Sequence, residues 1–325
     1  MTTPQHSIGS GFGARSTAAE VLGGSDLTGK LAVVTGGYSG LGLETTRALA
    51  SAGARVVVPA RRPGTAREAV GEISGIEIDT LDLGDLESVR SFAERFLATG
   101  RSIDLMINNA GIMACPETRV GPGWEAQFAT NHLGHYALVN RLWPALARGG
   151  ARVVSVSSAG HRRSGIRWDD VQFEQDYDKW QAYGQAKTAN ALFALQLDAL
   201  GRDSGVRAFS LHPGGILTPL QRHLPTEEMV ALGWIDEDGN PLQTAFKSPE
   251  EGAATQVWAA TSPQLEGMGG VYCEDCDIAE RTKGDPSSAA GGVRDHAADP
   301  QEAARLWALS AELTGLDAFA VAAGR

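Results

Sequence analysis

The sequence predicts a doubly wound α/β domain built on a parallel sheet. Two observations support this: apolar runs of strand length recur along the chain, and longer stretches with helical periodicity separate them. The strand-like runs read LAVVT, RVVVPA, IDLMIN, ARVVSVS and VRAFSLH, and the helical stretches include LGLETTRALASAG and LESVRSFAERFLATG. Strands that are apolar throughout have both faces buried, which a parallel sheet achieves with helices on both sides. We therefore expect a single domain.

Three segments depart from this alternation. Residues 1–26 are rich in Gly, Ser and Thr, which predicts a flexible N-terminal extension ahead of a domain that spans 27–325. Residues 217–247 contain Pro and Gly and follow a strand. Because irregular segments at the carboxyl ends of parallel strands line the ligand crevice, this segment is predicted to be a substrate lid. The apolar spacing within 299–314 predicts a C-terminal helix.

Composition narrows the possible partners. The net charge of -11 weighs against nucleic acid or an anionic membrane surface as the main partner. Cys115, Cys273 and Cys276 are too few for a disulfide framework and favour a reducing cytoplasm. The last two form a C-x-x-C without a second ligand pair at zinc-site spacing, so no metal is expected. No stretch has the length of a membrane span or the pattern of a secretion signal, and the predicted location is the cytoplasm.

The turn after the first strand carries three glycines. TGGYSGLG places Gly36, Gly40 and Gly42 between the first strand and the first helix. Glycine lets the backbone turn tightly and approach a pyrophosphate, whose charge is favoured at the following helix N-terminus. A plain tight turn is the alternative, and the strand-to-helix placement favours a dinucleotide site.

A tyrosine and a lysine are separated by four residues on a predicted helix. Tyr183 and Lys187 therefore share one face and reach the same small volume. A phenol titrates near pH ~10, and a nearby ammonium favours its phenolate form, which suits acid-base catalysis. Either Ser157 or Ser158, at the end of a strand, is a candidate hydroxyl for the same site. A solvated Tyr–Lys pair is the alternative for an isolated match.

These motifs occur in a fixed order with NNAG at 108–111 and HPGG at 212–215. Over roughly 27–279 the ordered set resembles the short-chain dehydrogenase/reductase family. NHLGHYALVN from Asn131, the insertion before Tyr183 and YGQAKTANALFALQL are similar to its retinol-dehydrogenase-like and WW-domain-oxidoreductase-like branch. The resemblance implies a Rossmann-type fold that uses a nicotinamide cofactor to interconvert an alcohol and a ketone or aldehyde on an apolar small molecule.

The resemblance also implies residue roles. Tyr183 is the acid/base, Ser158 hydrogen-bonds the reacting oxygen, Lys187 binds the nicotinamide ribose and Asn131 holds a water in a proton relay. The implied cofactor-binding residues are Gly36, Tyr38, Ser39, Gly40, Leu41, Gly42, Arg61, Arg62, Asp82, Leu83, Asn109, Ala110, Gly111, Tyr183, Lys187, Pro213, Gly214 and Thr218.

The end of the second strand predicts NADP(H) as the cofactor. A fold that selects NAD usually carries Asp or Glu there to bind the ribose 2′-hydroxyl, and this chain has Ala60 followed by Arg61 and Arg62. Arginine forms paired hydrogen bonds with phosphate oxygens, so Arg61 is the first candidate for the 2′-phosphate and Arg62 the second. Two solvated loop residues are the alternative.

Two other functions use the same fold. A non-catalytic NADP-binding regulatory protein does not require Ser158, Tyr183 and Lys187, and a sugar-nucleotide epimerase or dehydratase typically carries a different glycine spacing. The resemblance further implies a homodimer or homotetramer in which the long helices that contain Asn131 and Tyr183 pack against a neighbouring subunit. His132, His135 and the HRR stretch at 161–163 are assigned no role.

Overall fold

A computed structural model of the chain describes residues 3–242, 246–283 and 291–320. The described strands are β1 (Leu31–Val34), β2 (Arg55–Ala60), β3 (Ile76–Thr80), β4 (Leu105–Asn108), β5 (Arg119–Val120), β6 (Trp124–Glu125), β7 (Arg152–Val156), β8 (Arg207–His212), β9 (Val271–Glu274) and β10 (Asp277–Ile278). Within these residues eight strands form one sheet in the order β10-β9-β8-β7-β4-β1-β2-β3. The pairs from β9 to β3 are all parallel.

Helices cover both faces of this sheet. They are α1 (Ala18–Leu22), α2 (Gly40–Ser51), α3 (Pro63–Val70), α4 (Leu86–Ala98), α5 (Ala126–Phe128), α6 (Gly134–Gly149), α7 (Lys179–Gly201), α8 (Thr226–Ala231), α9 (Pro249–Thr261) and α10 (Pro300–Thr314). Successive residues of β1 point to opposite faces: Ala32 and Val34 share a core with Trp258 of α9, and Val33 shares the other core with Tyr136 of α6. The doubly wound parallel α/β fold expected from the apolar runs is confirmed.

The β9–β10 hairpin adds an antiparallel strand at one edge of the sheet. The segment before β1 lies along this edge. The Gln5 side chain donates to the carbonyl oxygens of Tyr272 at 2.8 Å and Ala279 at 2.6 Å, and it accepts the Tyr272 N–H at 2.9 Å. Asp277 accepts the N–H groups of Ile8 and Gly9. The predicted extension therefore contains backbone that is hydrogen-bonded to the edge strands, which protects an otherwise open edge.

The helix expected at the C-terminus lies on the outer face of α6 and α7. The Trp307 ring of α10 stacks on Phe193 of α7 with 5.8 Å between ring centres and packs edge-on against Tyr136 of α6 at 4.8 Å. His132 Nε2 and Ser310 Oγ are 2.7 Å apart. This is the face through which the family resemblance implies subunit contacts, and α10 of the same chain covers it. Among the described helices, none is long and apolar enough to cross a lipid bilayer.

The predicted lid consists of a 3-10 helix over Pro219–His223, α8 and the chain that returns to α9. Residues 243–245 of the lid lie outside the described part. Glu228 of α8 accepts hydrogen bonds from Lys179 and, at 2.9 Å, from the Trp180 indole N–H. The lid is therefore attached to the first turn of α7, three to four residues before Tyr183.

Candidate active site

The carboxyl ends of β1, β2, β4, β7 and β8 open onto a cavity of about 790 Å3. Parallel strands place their carboxyl ends at one edge of the sheet, which is where ligands bind in doubly wound folds. The sequence-predicted residues on its wall are Gly36, Tyr38, Ser39, Gly40, Leu41, Arg61, Arg62, Asn109, Ala110, Gly111, Ser158, Tyr183, Lys187, Pro213, Gly214 and Thr218. Gly42, Asp82, Leu83 and Asn131 lie outside this wall.

The glycine turn forms a concave backbone surface at the N-terminus of α2. Gly36 has a φ of 65°, and a Cβ there would lie 3.2 Å from Ala110. A Cβ on Gly42 would lie 2.2 Å from the Gly36 carbonyl oxygen. Because Gly42 has no side chain, α2 can pack closely against the turn that precedes it. Gly36 and Gly40 both lie on the cavity wall, and Gly40 is the first residue of α2. This arrangement fits the pyrophosphate of a dinucleotide.

Ser158, Tyr183 and Lys187 converge from two elements. Ser158 follows β7 and caps the 3-10 turn over Ala159–Arg163, where its Oγ accepts the Gly160 N–H at 3.0 Å. Tyr183 and Lys187 lie on α7, and the Lys187 Nζ is 5.6 Å from the centre of the Tyr183 ring. Ser157 instead donates its hydroxyl to the Lys187 carbonyl oxygen at 2.7 Å. The serine beside Tyr183 is thus Ser158.

Burial shifts the pKa values of Tyr183 and Lys187. It raises the pKa of Tyr183 to about 12, and a hydrogen bond with Ser158 opposes this rise. It lowers the pKa of Lys187 to about 8. The Lys187 ammonium donates to the Val156 carbonyl oxygen at 2.9 Å. We expected Lys187 to favour the phenolate, but burial has the larger effect on the pKa of Tyr183, and the phenol stays protonated near neutral pH.

Asn131 lies in a π-helical turn, Ala129–Leu133, that precedes α6. Its side chain accepts the Ile112 N–H at 2.8 Å and donates to the Ile112 carbonyl oxygen at 2.9 Å, so it holds the loop after β4. A Cβ on Gly111 would lie 3.1 Å from Asn131 Oδ1 and 3.7 Å from Lys187 Nζ. Asn131 is therefore close to the lysine through this loop, although it does not reach the cavity wall. π-helical turns are frequent at functional sites.

His135 ties the π-helical turn to the same loop. Its Nδ1 is 2.9 Å from the Asn131 carbonyl oxygen, which can only accept, so Nδ1 carries the proton. Burial lowers the pKa of His135 to about 4, and the neutral ring accepts the Thr35 hydroxyl at Nε2, 2.9 Å away. The Thr35 oxygen in turn accepts the N–H groups of Asn109 and Ala110. His135, which was assigned no role from the sequence, therefore positions Asn109 and Ala110 on the cavity wall through Thr35.

His161 holds the backbone of Ser158. Its Nδ1 donates to the Ser158 carbonyl oxygen at 2.6 Å, and its Nε2 accepts the Arg294 N–H at 3.2 Å. Burial lowers the pKa of His161 to about 3, so the ring stays neutral and serves both partners. His212 Nδ1 accepts the N–H of Ala159, the next residue. The turn that carries Ser158 is thus fixed by two neutral histidines.

Arg61 and Arg62 are exposed at the end of β2, on the cavity wall, beside the fully buried Ala60. Among the described residues no carboxylate forms an ion pair with either arginine. This donor set fits the phosphate of NADP(H). Asp82 follows β3 and accepts the Gly84 N–H at 2.9 Å, which shapes the turn there.

Sequence reasoning missed a second part of the cavity wall. Arg162 and Arg163 of the HRR stretch line it, as do Trp180, Arg222, Trp234 and Phe246. Trp180 had a detectable signal, because it precedes Tyr183 by three residues and so shares its helix face. Arg162 and Arg163 belong to the turn after Ser158, whereas Arg222, Trp234 and Phe246 reach the wall through the lid, which folds back over α7. The Cys273 and Cys276 thiols lie outside the wall and are both buried.

Comparison with known proteins places these motifs in a family. A model described as short chain dehydrogenase matches residues 30–229. A probable oxidoreductase of Streptomyces lividans is 46% identical over 297 residues, 88% of this chain and 98% of that protein. Human retinol dehydrogenase 12 is 36% identical over 297 residues, 89% of this chain and 88% of that protein. A crystal structure of a Mycobacterium paratuberculosis protein superposes with a TM-score of 0.71 at 33% identity, over 94% of this chain and 100% of that one.

Proposed function

Because the chain belongs to the short-chain dehydrogenase family, we propose that it is an NADP(H)-dependent oxidoreductase that interconverts an alcohol with a ketone or aldehyde on an apolar small molecule. The observation that carries this proposal is the convergence of Ser158, Tyr183 and Lys187 at one end of a cavity whose other end is a glycine cradle. A regulatory protein that only binds the nucleotide would require the glycine cradle and none of these three side chains.

Side chains of the protein would transfer the proton and orient the substrate. A bound nicotinamide would supply the hydride for reduction or accept it for oxidation. Tyr183, neutral at working pH because its pKa is raised to about 12, donates its proton to the carbonyl oxygen of the substrate. Ser158 donates a hydrogen bond to the same oxygen and holds it in place.

The remaining site residues support binding of the cofactor. The Lys187 ammonium would donate to the ribose hydroxyls, and Asn131 would retain a water that returns a proton to Tyr183 by way of Lys187. Arg61, with Arg62 beside it, would pair with the 2′-phosphate. Ala60 has no carboxylate that would repel this phosphate. Asp82 and Leu83 would contact the adenine, a contact common to NAD and NADP.

Tyr183→Phe tests the proposal. The variant keeps the ring and loses the proton donor, so we expect kcat for carbonyl reduction to fall by a factor of ~10² to 10⁴ while NADPH affinity is retained. Tyr136→Phe is the matched control: it removes a phenol that donates to the Leu316 carbonyl oxygen at 2.8 Å, away from the cavity, and should keep its turnover. Unchanged kcat in Tyr183→Phe would exclude this mechanism. NADPH binding without turnover of any carbonyl or alcohol would favour a regulatory protein.

A further inference from the structure

An aromatic wall leads outward from Tyr183. The Trp180 ring lies edge-on to the Tyr183 ring with 6.4 Å between centres, Trp234 lies 6.0 Å from Trp180, and Phe246 lies 6.0 Å from Trp234. All four side chains line the cavity. Met113 and Leu224 belong to the apolar cluster that includes Tyr183. This half of the cavity therefore suits a flat, apolar ligand that approaches Tyr183 with one end.

Two arginines line the same cavity as this aromatic wall. The Arg163 guanidinium lies over the Trp180 ring at 5.3 Å from its centre, and Arg163 is exposed. Arg222, also exposed, lies on the lid's 3-10 helix, where one nitrogen donates to the Pro219 carbonyl oxygen. Arg222 lines the cavity together with Met113.

Neither arginine is neutralised by the protein. Among the described residues, no carboxylate forms an ion pair with Arg163 or Arg222, whereas their neighbour Arg162 lies 3.8 Å from Glu274. Arg163 is in contact with the aromatic wall, not with the glycine cradle or the end of β2. The two charges are therefore available to a ligand in the cavity.

We infer that the physiological substrate is an aromatic or similarly flat carbonyl compound that carries a carboxylate. This inference rests on the proposed function and adds the substrate class. A guanidinium stacked on an indole presents its N–H edge in the plane, where a carboxylate forms two parallel hydrogen bonds. In a chain of net charge -11 a pair of unneutralised arginines at the cavity mouth also attracts an anion that the rest of the surface repels.

Two probe pairs test the inference. Para-formylcinnamate and its methyl ester are compared as substrates with NADPH, and cinnamate and methyl cinnamate are compared as ligands of the NADP⁺-saturated protein by quenching of tryptophan fluorescence. We expect the carboxylates to exceed the esters by about tenfold in kcat/KM and in affinity, with a preference that weakens as salt is added. Arg163→Gln and Arg222→Gln should each reduce the carboxylate-to-ester ratio, and the double variant should bring it close to one.

Arg305→Gln is the matched control, because the Arg305 guanidinium also stacks on an indole, 3.9 Å from the centre of Trp168, outside the cavity wall. Equal kcat/KM values and equal affinities for the carboxylate and the ester in the wild type would overturn the inference. Variants in which the values for carboxylate and ester fall in parallel would also overturn it. A rise in KM for NADPH with an unchanged ratio would assign the arginines to the cofactor. Preferential cinnamate binding without reduction of any probe would refute the proposed function and leave the anion site standing.

Discussion

Replacement of Lys187 by methionine should stabilise the fold while it damages the site. Lys187 is 3% exposed, and no carboxylate among the described residues forms an ion pair with it. Burial lowers its pKa from 10.5 to about 8, so near neutral pH the protein holds an ammonium in surroundings that disfavour the charge. Methionine has a similar length, is apolar and adapts to irregular spaces.

The structure gives the size of this effect. At about 1.4 kcal/mol per pKa unit, the lowered pKa corresponds to roughly 3 kcal/mol of lost stability near neutral pH. The variant also loses the hydrogen bond to the Val156 carbonyl oxygen, a loss of about 1 kcal/mol. That oxygen keeps a second donor, the Asn190 side chain at 3.0 Å, and is not left unpaired. We expect Lys187→Met to raise the free energy of unfolding by about 2 kcal/mol.

Urea unfolding over a pH series measures the difference between the two proteins. Below about pH 8 the lysine is charged in both the folded and the unfolded wild type, and the variant has its full advantage. As the pH rises from about 8 to 10.5 the folded wild type releases its proton first, so its relative stability rises and the gap closes. Lys283→Met, at an exposed position, should show no such gap. A variant less stable than wild type near neutral pH, or a gap independent of pH, would refute the reasoning.

Three further predictions concern the cofactor, the serine turn and assembly. Ala60→Asp with Arg61→Ala should shift the kcat/KM ratio from NADPH toward NADH, since it exchanges a phosphate partner for a carboxylate; an unchanged ratio would mean that the arginine does not contact the 2′-phosphate. His161→Phe should lower kcat by about ten- to a hundredfold with little change in the KM for NADPH, because the Ser158 carbonyl oxygen loses its side-chain donor and keeps only the backbone N–H of residue 161, while the cradle is intact. An equal rise in that KM would indicate general misfolding instead. A homodimer or homotetramer, which the family resemblance implies, would have to use a surface other than the covered face of α6 and α7, and light scattering that gives a mass of 34.1 kDa would exclude it.

The elements that follow from local sequence were predictable. Strand β1 is apolar throughout, and α10 carries a regular apolar stripe, so each could be identified without its neighbours. The β9–β10 hairpin was missed because VYCE is short and its antiparallel partner has two residues. Its pairing depends on contacts with β8, which sequence periodicity does not encode.

The candidate site also contains residues that the sequence predicts and residues that it does not predict. Gly36, Tyr183 and Lys187 stand at fixed spacings inside single elements, and these spacings survive folding. Arg222 and Trp234 reach the cavity only because the lid returns to α7, a long-range arrangement without a local pattern. The rise in the pKa of Tyr183 was also beyond the sequence, since it depends on complete burial of both members of the pair and not on their spacing.

The position of α10 has a consequence for biosynthesis. A ribosome releases α6 and α7 long before residues 300–314, so Tyr136 and Phe193 lack their Trp307 cover on the nascent chain. During that interval the outside of the helix that bears Tyr183 presents an aromatic patch to the cell, a surface that chaperones recognise and that aggregation exploits. Helix α10 thus covers an aromatic patch on two helices that are translated before it, and chains stalled before residue 300 should be captured or degraded in preference to folded ones.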